Sequence, residues 1–275
     1  MTPGGKIVNN LIYVIVFHEP RMTPGRTSRR KSAAPGASLG SERRPETSAA
    51  NGGPSQHLAI PRRIARSLEE DIVLGRRHPR ERLIEQDLCE RFRTHRGDVR
   101  LALFELEQKG IVQRIPNRGA IVRDLTPREV TEIYAVREEL EVMAARILPL
   151  PVAESQVAKL GEIQQRHSVA IDSDDMLAVF YANLNFHQAV FGLCGNACLI
   201  ETIKQLEGKV YGIRFYANAV TEALDRARRD HLDIIEALRA GRRGDLIELT
   251  RRHLKPSPQA YIRAYERRFG STGRE

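Results

Sequence analysis

Apolar residues recur along most of this chain at the three-and-four spacing of a helix, not at the alternation of a half-buried strand. The pattern opens at Ile60. Ile64, Leu68 and Ile72 repeat every four residues, Ala65 and Val73 widen the stripe, and Gly75 supplies a C-terminal stop. A turn containing Pro79 follows, then a short predicted helix, Glu85–Phe92, with Leu88 and Phe92 one turn apart. After a polar break at Arg93–Asp98, Val99, Leu103, Leu106 and Ile111 mark a third helix, stopped by Lys109-Gly110. Two short β-branched runs, Ile111–Ile115 and Ala120–Arg123, flank Pro116-Asn117-Arg118-Gly119 and predict a hairpin. Three helices and a hairpin wing outline a winged helix-turn-helix domain over residues 56–124.

From Thr126 onward the period stays helical. Thr126-Pro127-Arg128-Glu129 supplies an N-cap, a proline at the first helical position and a glutamate at the third, which together make a capping box. Amphipathic stretches are predicted at about 127–148, 152–171, 173–193, 196–217, 221–240 and 244–268. No strand alternation or repeat period interrupts them, so residues 125–270 read as an all-α helical bundle and the fold class is mainly α. Residues 21–55 are dominated by Pro, Gly, Ser, Thr, Ala and Arg without an apolar period, and residues 1–55 read as a disordered basic tail. The apolar run inside that tail has a weak charged n-region and no small-residue cleavage site, and Met22 offers an alternative start.

The chain has 275 residues, a length that agrees with two domains, and no tryptophan, so its cores rest on Leu, Ile, Val and Ala. The apolar run Leu11–Phe17 is far shorter than a membrane span, and no longer run occurs. Three cysteines, Cys89, Cys194 and Cys198, are too few for a disulfide framework and suit a reducing cytoplasm. A membrane protein and a disulfide-stapled secreted module are thereby excluded. The formal net charge of +9 is unevenly placed. Residues 1–55 carry eight Lys/Arg against three Asp/Glu, residues 56–124 carry 15 against 11, and residues 125–275 carry 21 of each. That asymmetry suggests a polyanion-binding front end joined to a neutral module; a solvated basic surface is the plainer alternative.

In a helix-turn-helix the second helix enters the major groove with its N-terminus toward base edges. Here that terminus reads Arg93-Thr94-His95-Arg96-Gly97-Asp98-Val99-Arg100. Arg96 and Arg100 share a face, and arginine suits bidentate contact with guanine or phosphate. Arg118-Gly119 adds a cation and a close-approaching backbone at the wing tip, while His95 and Thr94 could cap the helix or touch the DNA backbone. The alternative for the two arginines is an ordinary solvated face.

In the bundle, Asn183 and His187 lie four apart, and His231 and His253 sit on helices joined across the Gly241–Gly244 turn. Three neutral imidazoles and an amide oxygen could hold a divalent transition metal with positions left open for a carboxylate. Surface histidines, or core histidines already hydrogen-bonded, are the alternative. His167 fits no part of this pattern, and Cys194 and Cys198 share a face as packing residues.

These segments resemble a known family. Ile64-Ala65, Gly75, Arg82-Leu83-Ile84-Glu85, Leu88, Phe92, Arg96, Val99-Arg100, Ala102-Leu103, Leu106-Glu107, Gly110-Ile111-Val112 and Arg118-Gly119-Ala120-Ile121-Val122 are similar to the N-terminal half of GntR-family bacterial transcription regulators. Leu125-Thr126, Val136-Arg137 and Leu140-Glu141 then resemble the FadR-type branch with an FCD ligand-binding domain. Three departures stand out. Arg80 replaces the usual glycine after Pro79, Gly97 removes a hydroxyl that typically touches DNA, and Asp98 brings a negative charge near phosphate. The resemblance implies a further DNA contact from Gln86, and its Phe186-His187, Gly195-Asn196, His231 and His253 match the FCD order. It implies metal binding at Asn183, His187, His231 and His253, zinc first with nickel or manganese as alternatives, and an organic acid completing the site. Arg137 resembles an effector-facing arginine; its alternative is an i, i+4 ion pair with Glu141.

The expectation is therefore a cytoplasmic one-component regulator, a repressor, that binds a pseudo-palindromic double-stranded operator as a homodimer. A small carboxylate effector would shift its DNA affinity. Two other classes stand beside it: a metal-dependent hydrolase or lyase using the histidine site, and an architectural nucleic-acid binder using the basic tail.

Overall fold

The computed structural model describes residues 59–116, 118–213 and 221–270. The basic tail, Met22, Asn117 and the predicted helical residues 214–217 lie outside the described residues. The order is α1 (Ala59–Val73), β1 (Arg82–Leu83), α2 (Glu85–Phe92), α3 (Arg96–Gln108), β2 (Val112–Ile115), β3 (Gly119–Val122) and then α4 (Pro127–Ile147), α5 (Glu154–Asp172), α6 (Met176–Gly192), α7 (Ala197–Lys209), α8 (Thr221–Arg239), α9 (Arg243–Leu254) and α10 (Pro256–Phe269). No helix among the described residues is long and apolar enough to cross a membrane.

The predicted stripe of α1 is buried: Ile64, Ala65 and Leu68 are inaccessible and pack with Leu88, Val99, Leu103 and Leu106. The hairpin forms with Val112 opposite Val122 and Ile115 opposite Gly119. The sequence pattern missed β1, a two-residue strand that pairs antiparallel with β3 and gives the order β1-β3-β2. Arg80, where the resemblance implied glycine, adopts the left-handed φ of 68° that glycine favours. It also does what glycine cannot: its guanidinium lies 2.7 Å from the Asp124 carboxylate and over the Phe269 ring, tying the wing to α10.

The capping box opens α4 as expected, with Glu129 N–H donating to Thr126 Oγ1 and Thr126 N–H donating to the Glu129 carboxylate. The stretch predicted as one helix over 244–268 is two, broken between Leu254 and Pro256 because proline cannot donate to the preceding turn. The helical core joins Leu160, Ile163, Phe186, Ile203, Ile234, Leu238 and Leu246.

The two halves are not packed as separate bodies. Phe180 and Leu184 of α6, and Tyr211 beyond α7, are members of the winged domain's own core. Tyr181 donates its hydroxyl to Glu70 of α1 at 3.0 Å, with Arg66 over its ring. Tyr261 of α10 donates to the Leu125 carbonyl at 2.6 Å.

Candidate functional site

The turn between α2 and α3 is made by Arg93 in the left-handed region, φ 50°, its N–H returning to the Cys89 and Glu90 carbonyls. His95 then takes extended backbone as the N-cap of α3 without a side-chain capping bond. Thr94 donates its hydroxyl to Asp98, so the acidic departure is held at the positive end of the helix dipole. Arg96, Gly97, His95 and Gln86 are exposed, Gln86 donating to Glu90 at 3.3 Å. Arg100 is exposed too, but it pairs with Glu85 at 3.0 Å. Arg93, Arg96 and Arg118 have no acidic partner among the described residues, so α3 and the wing tip each offer uncompensated positive charge.

Gly119 is buried, and the structure gives it a packing reason. Its φ is +88°, and a Cβ there would lie 2.1 Å from the Leu83 carbonyl oxygen. Glycine at this point lets β1 reach β3. Gly97 has no such need, since a Cβ there meets nothing within 4 Å.

On the bundle side, α6, α8 and α9 bring His187, His231 and His253 together, with one ring nitrogen from each within 4.8 Å of the others. The Gln164 amide donates to Ser168 Oγ at 3.2 Å, which turns its carbonyl oxygen to accept His231 Nδ1–H at 2.7 Å. Asp230 lies 3.3 Å from His253 Nδ1. Both contacts place the ring proton on Nδ1 and leave Nε2 as the ligand atom. Burial alone would raise the Asp230 pKa, but the hydrogen bonds from His253 and Arg252 hold it below the ordinary value. His187 and His253 face each other Nε2 to Nε2 at 3.1 Å, close to the roughly 3.3 Å between two ligands of one tetrahedral zinc. The donor set fits a divalent cation.

Asn183 lies one turn before His187 and lines the same cavity as His187, His253, Arg137, His167 and Asp230. The cavity has a volume of about 70 Å³. Arg137 is fully buried and donates to Glu141 at 2.7 and 3.1 Å, with Glu207 at 3.9 Å. Burial would lower its pKa, yet the neighbouring carboxylates raise it above the ordinary value, so it is a permanent cation. The i, i+4 pair is thus formed, and Arg137 meets the cavity as part of an ion pair. Sequence reasoning overlooked Gln164 and Asp230, and it left His167 outside the pattern although His167 lines the cavity. Asp230-His231 and Arg252-His253 are adjacent in sequence, but Gln164 and His231 lie 67 residues apart and no local pattern links them.

Residues 61–122 match the family described as bacterial regulatory proteins, gntR family, and residues 132–256 match the FCD domain. Among related proteins, the HTH-type transcriptional repressor RspR of Escherichia coli is 29% identical over 189 residues, 69% of this chain and 82% of that one. The HTH-type transcriptional regulator McbR of Escherichia coli is 25% identical over 220 residues, 77% and 98% of the two chains. The solved structure of E. coli McbR/YncC has the same fold, with a TM-score of 0.66 at 21% identity over 75% of this chain and 99% of that one. A GntR-type regulator from Rhodococcus sp. RHA1 has a TM-score of 0.63 at 24% identity, covering 74% and 98%. These relatives are regulators and not enzymes, which sets the hydrolase or lyase alternative aside. The winged domain, the helical domain with its histidine cluster and these matches together place the chain in the GntR family of bacterial transcriptional regulators, in the group carrying an FCD domain.

Proposed function

We propose that this regulator is a homodimeric repressor that binds a pseudo-palindromic operator and releases it in response to a small carboxylate held at a metal in the bundle. Gln86, His95, Arg96, Gly97, Arg100, Arg118 and Gly119 form the DNA face. Arg100 leaves Glu85 for DNA at little cost, because an exposed pair of this kind is worth about 0–1 kcal/mol. His187, His231 and His253, with Asn183 one turn before His187, hold the cation; zinc suits three imidazoles best, with nickel or manganese as alternatives. When bound, the metal supplies the positive charge that attracts a carboxylate. Arg137 adds a donor, with Glu141 offsetting its charge.

The observation that carries this reading is α6. The helix that bears Asn183 and His187 also inserts Phe180 and Leu184 into the winged domain's core, so a ligand that shifts α6 acts on both. For the dimer, Val136, Met143 and Ile147 are exposed along one face of α4, an apolar stripe suited to a second copy. The cytoplasm is the matching compartment for an operator-binding protein with free cysteines.

The test is fluorescence anisotropy with fragments upstream of the protein's own gene. Specific binding abolished by Arg96→Ala/Arg100→Ala is the expected result. Equal and steeply salt-dependent binding by both proteins overturns operator recognition by α3.

A further inference from the structure

A second cavity lies at the seam between the two halves and shares no lining residue with the one beside the histidine cluster. The winged domain contributes Ile111 before β2 and Arg123 after β3; the bundle contributes Lys209 at the end of α7 and Ile213 beyond it. Arg77 and His78 add to the basic side of the lining, and no Asp or Glu is part of it. The two arginines have acidic partners outside the cavity, Arg77 with Glu81 at 2.5 Å and Arg123 with Glu129 at 3.0 Å. Arg123 gives only Nη2 to Glu129, and its Nη1 lies beside Gly110, 3.5 Å from where a Cβ would stand. Lys209 packs its stem on the same glycine, with Cγ 2.9 Å from that position. A cation from each half thus meets at one point, which the bare backbone of Gly110 at φ +72° leaves room for. Lys209 has no acidic partner among the described residues, whereas Lys109 nearby pairs with both Glu69 and Glu105. A lysine in the last turn of α7 does offset the helix dipole, but that does not bring Arg123 of the other half beside it. Like charges converging from two elements repel, and an anion between them reverses the sign of the contact.

We propose that this seam is a second ligand site, for a small phosphate-class oxyanion that bridges Lys209 of the bundle and Arg123 of the winged domain. Ammonium and guanidinium both supply charge-assisted donors, and two cations are matched by a dianion better than by a monocarboxylate. The cavity has a volume of about 40 Å³, room for about three waters, which suits one phosphoryl group and not an extended acid. Ile111, Leu125 and Ile213 give it an apolar side that lowers the local dielectric and strengthens the pairing. An anion held there ties the end of β3 to the end of α7 and clamps the winged domain against the bundle. The site involves none of the histidines and stands independently of the carboxylate-effector reading.

The experiment is calorimetry on the full-length chain, treated with a chelator so that no metal competes for the anion, with inorganic phosphate and methyl phosphate titrated at constant ionic strength. The wild type should bind at least one of them with a Kd of about 1 mM or tighter, and acetate at least about tenfold more weakly. Tighter binding of methyl phosphate identifies a phosphomonoester as the ligand, and tighter binding of inorganic phosphate the free ion; either supports the site. Lys209→Met keeps the stem on Gly110 without the charge, and Arg123→Gln keeps an amide for Glu129. Each should weaken phosphate about tenfold, the worth of one charge-assisted hydrogen bond, while Lys209→Arg retains binding. Lys209→Gln makes the same test should Lys209→Met prove unstable in thermal unfolding. A wild type that binds neither phosphate at about 10 mM overturns the site. Phosphate affinity that a folded variant at either Lys209 or Arg123 leaves unchanged overturns the bridge, and so does acetate binding as tightly as phosphate.

Discussion

Replacing Phe180 by alanine should sever communication between the two halves while leaving both binding surfaces in place. Phe180 is 1% exposed, sits in the winged domain's core, and meets Tyr181 and Tyr211 edge-on at ring separations of 5.3 and 5.2 Å. A buried Phe→Ala change costs about 3–5 kcal/mol, a figure that includes the aromatic contacts. That is within what a domain of ordinary stability, ~5–15 kcal/mol, survives. The assay is amide hydrogen exchange of the full chain with and without zinc. If zinc binds between His187, His231 and His253 as proposed, it should restrain α6 in the wild type, and α1 should exchange more slowly because Tyr181 holds Glu70. A coupling of about 1–3 kcal/mol corresponds to roughly 5–150-fold slower exchange. In Phe180→Ala the α1 effect should fall below about twofold, while amides around His187 still respond. Equal protection of α1 in variant and wild type would refute α6 as the route, and so would a wild-type α1 that ignores zinc.

Three further outcomes follow from local geometry. Gly119→Ala combines a left-handed φ with a Cβ 2.1 Å from the Leu83 carbonyl, so β1 must leave the sheet. The loss should be about 3 kcal/mol, read as a Tm lower by roughly 6–12 °C; an unchanged Tm contradicts the packing account. Gly97→Ser meets no neighbour and replaces a poor helix former, so stability should rise by about 0.5 kcal/mol. Operator affinity by anisotropy should rise with it, and a fall would mean the bare backbone at Gly97 is itself the contact. Burial raises the Glu129 pKa, but the Thr126 backbone and hydroxyl and Arg123 outweigh it and hold the carboxyl below its ordinary value. Its stabilisation is therefore present above the unfolded value of about 4.3 and lost as pH falls through the lower folded one. Glu129→Gln should cost about 0.5 kcal/mol at pH 7, discounted for solvent screening, in urea unfolding, and nothing below about pH 3.

What could be read from the chain alone is what depends on neighbours within a turn. The stripe Ile64, Leu68 and Ile72, the capping box at Thr126, the glycine stop at Gly75 and the pairing of Val112 with Val122 across a short turn all obey rules spanning a few residues. His231 and His253 were legible as a pair because they lie on helices joined by a short turn, and His187 was added to them by the family resemblance. Other features depended on which distant surface each face meets. α6 is apolar nearly all round, which predicts burial, but nothing in its period says that Phe180 and Leu184 enter one core and Phe186 another. The break at Pro256 is a local signal that the continuous apolar period hid, and β1 is too short to have a period. Arg100 facing Glu85, and Gln164 orienting His231, are contacts between residues 15 and 67 apart. The sequence by itself determined the elements and the kinds of side chain available to a DNA face and a histidine cluster. Tertiary packing alone decided that one helix serves both halves and that His167 sits buried beside the histidine cluster, because periodicity specifies a buried face but not the partner that buries it.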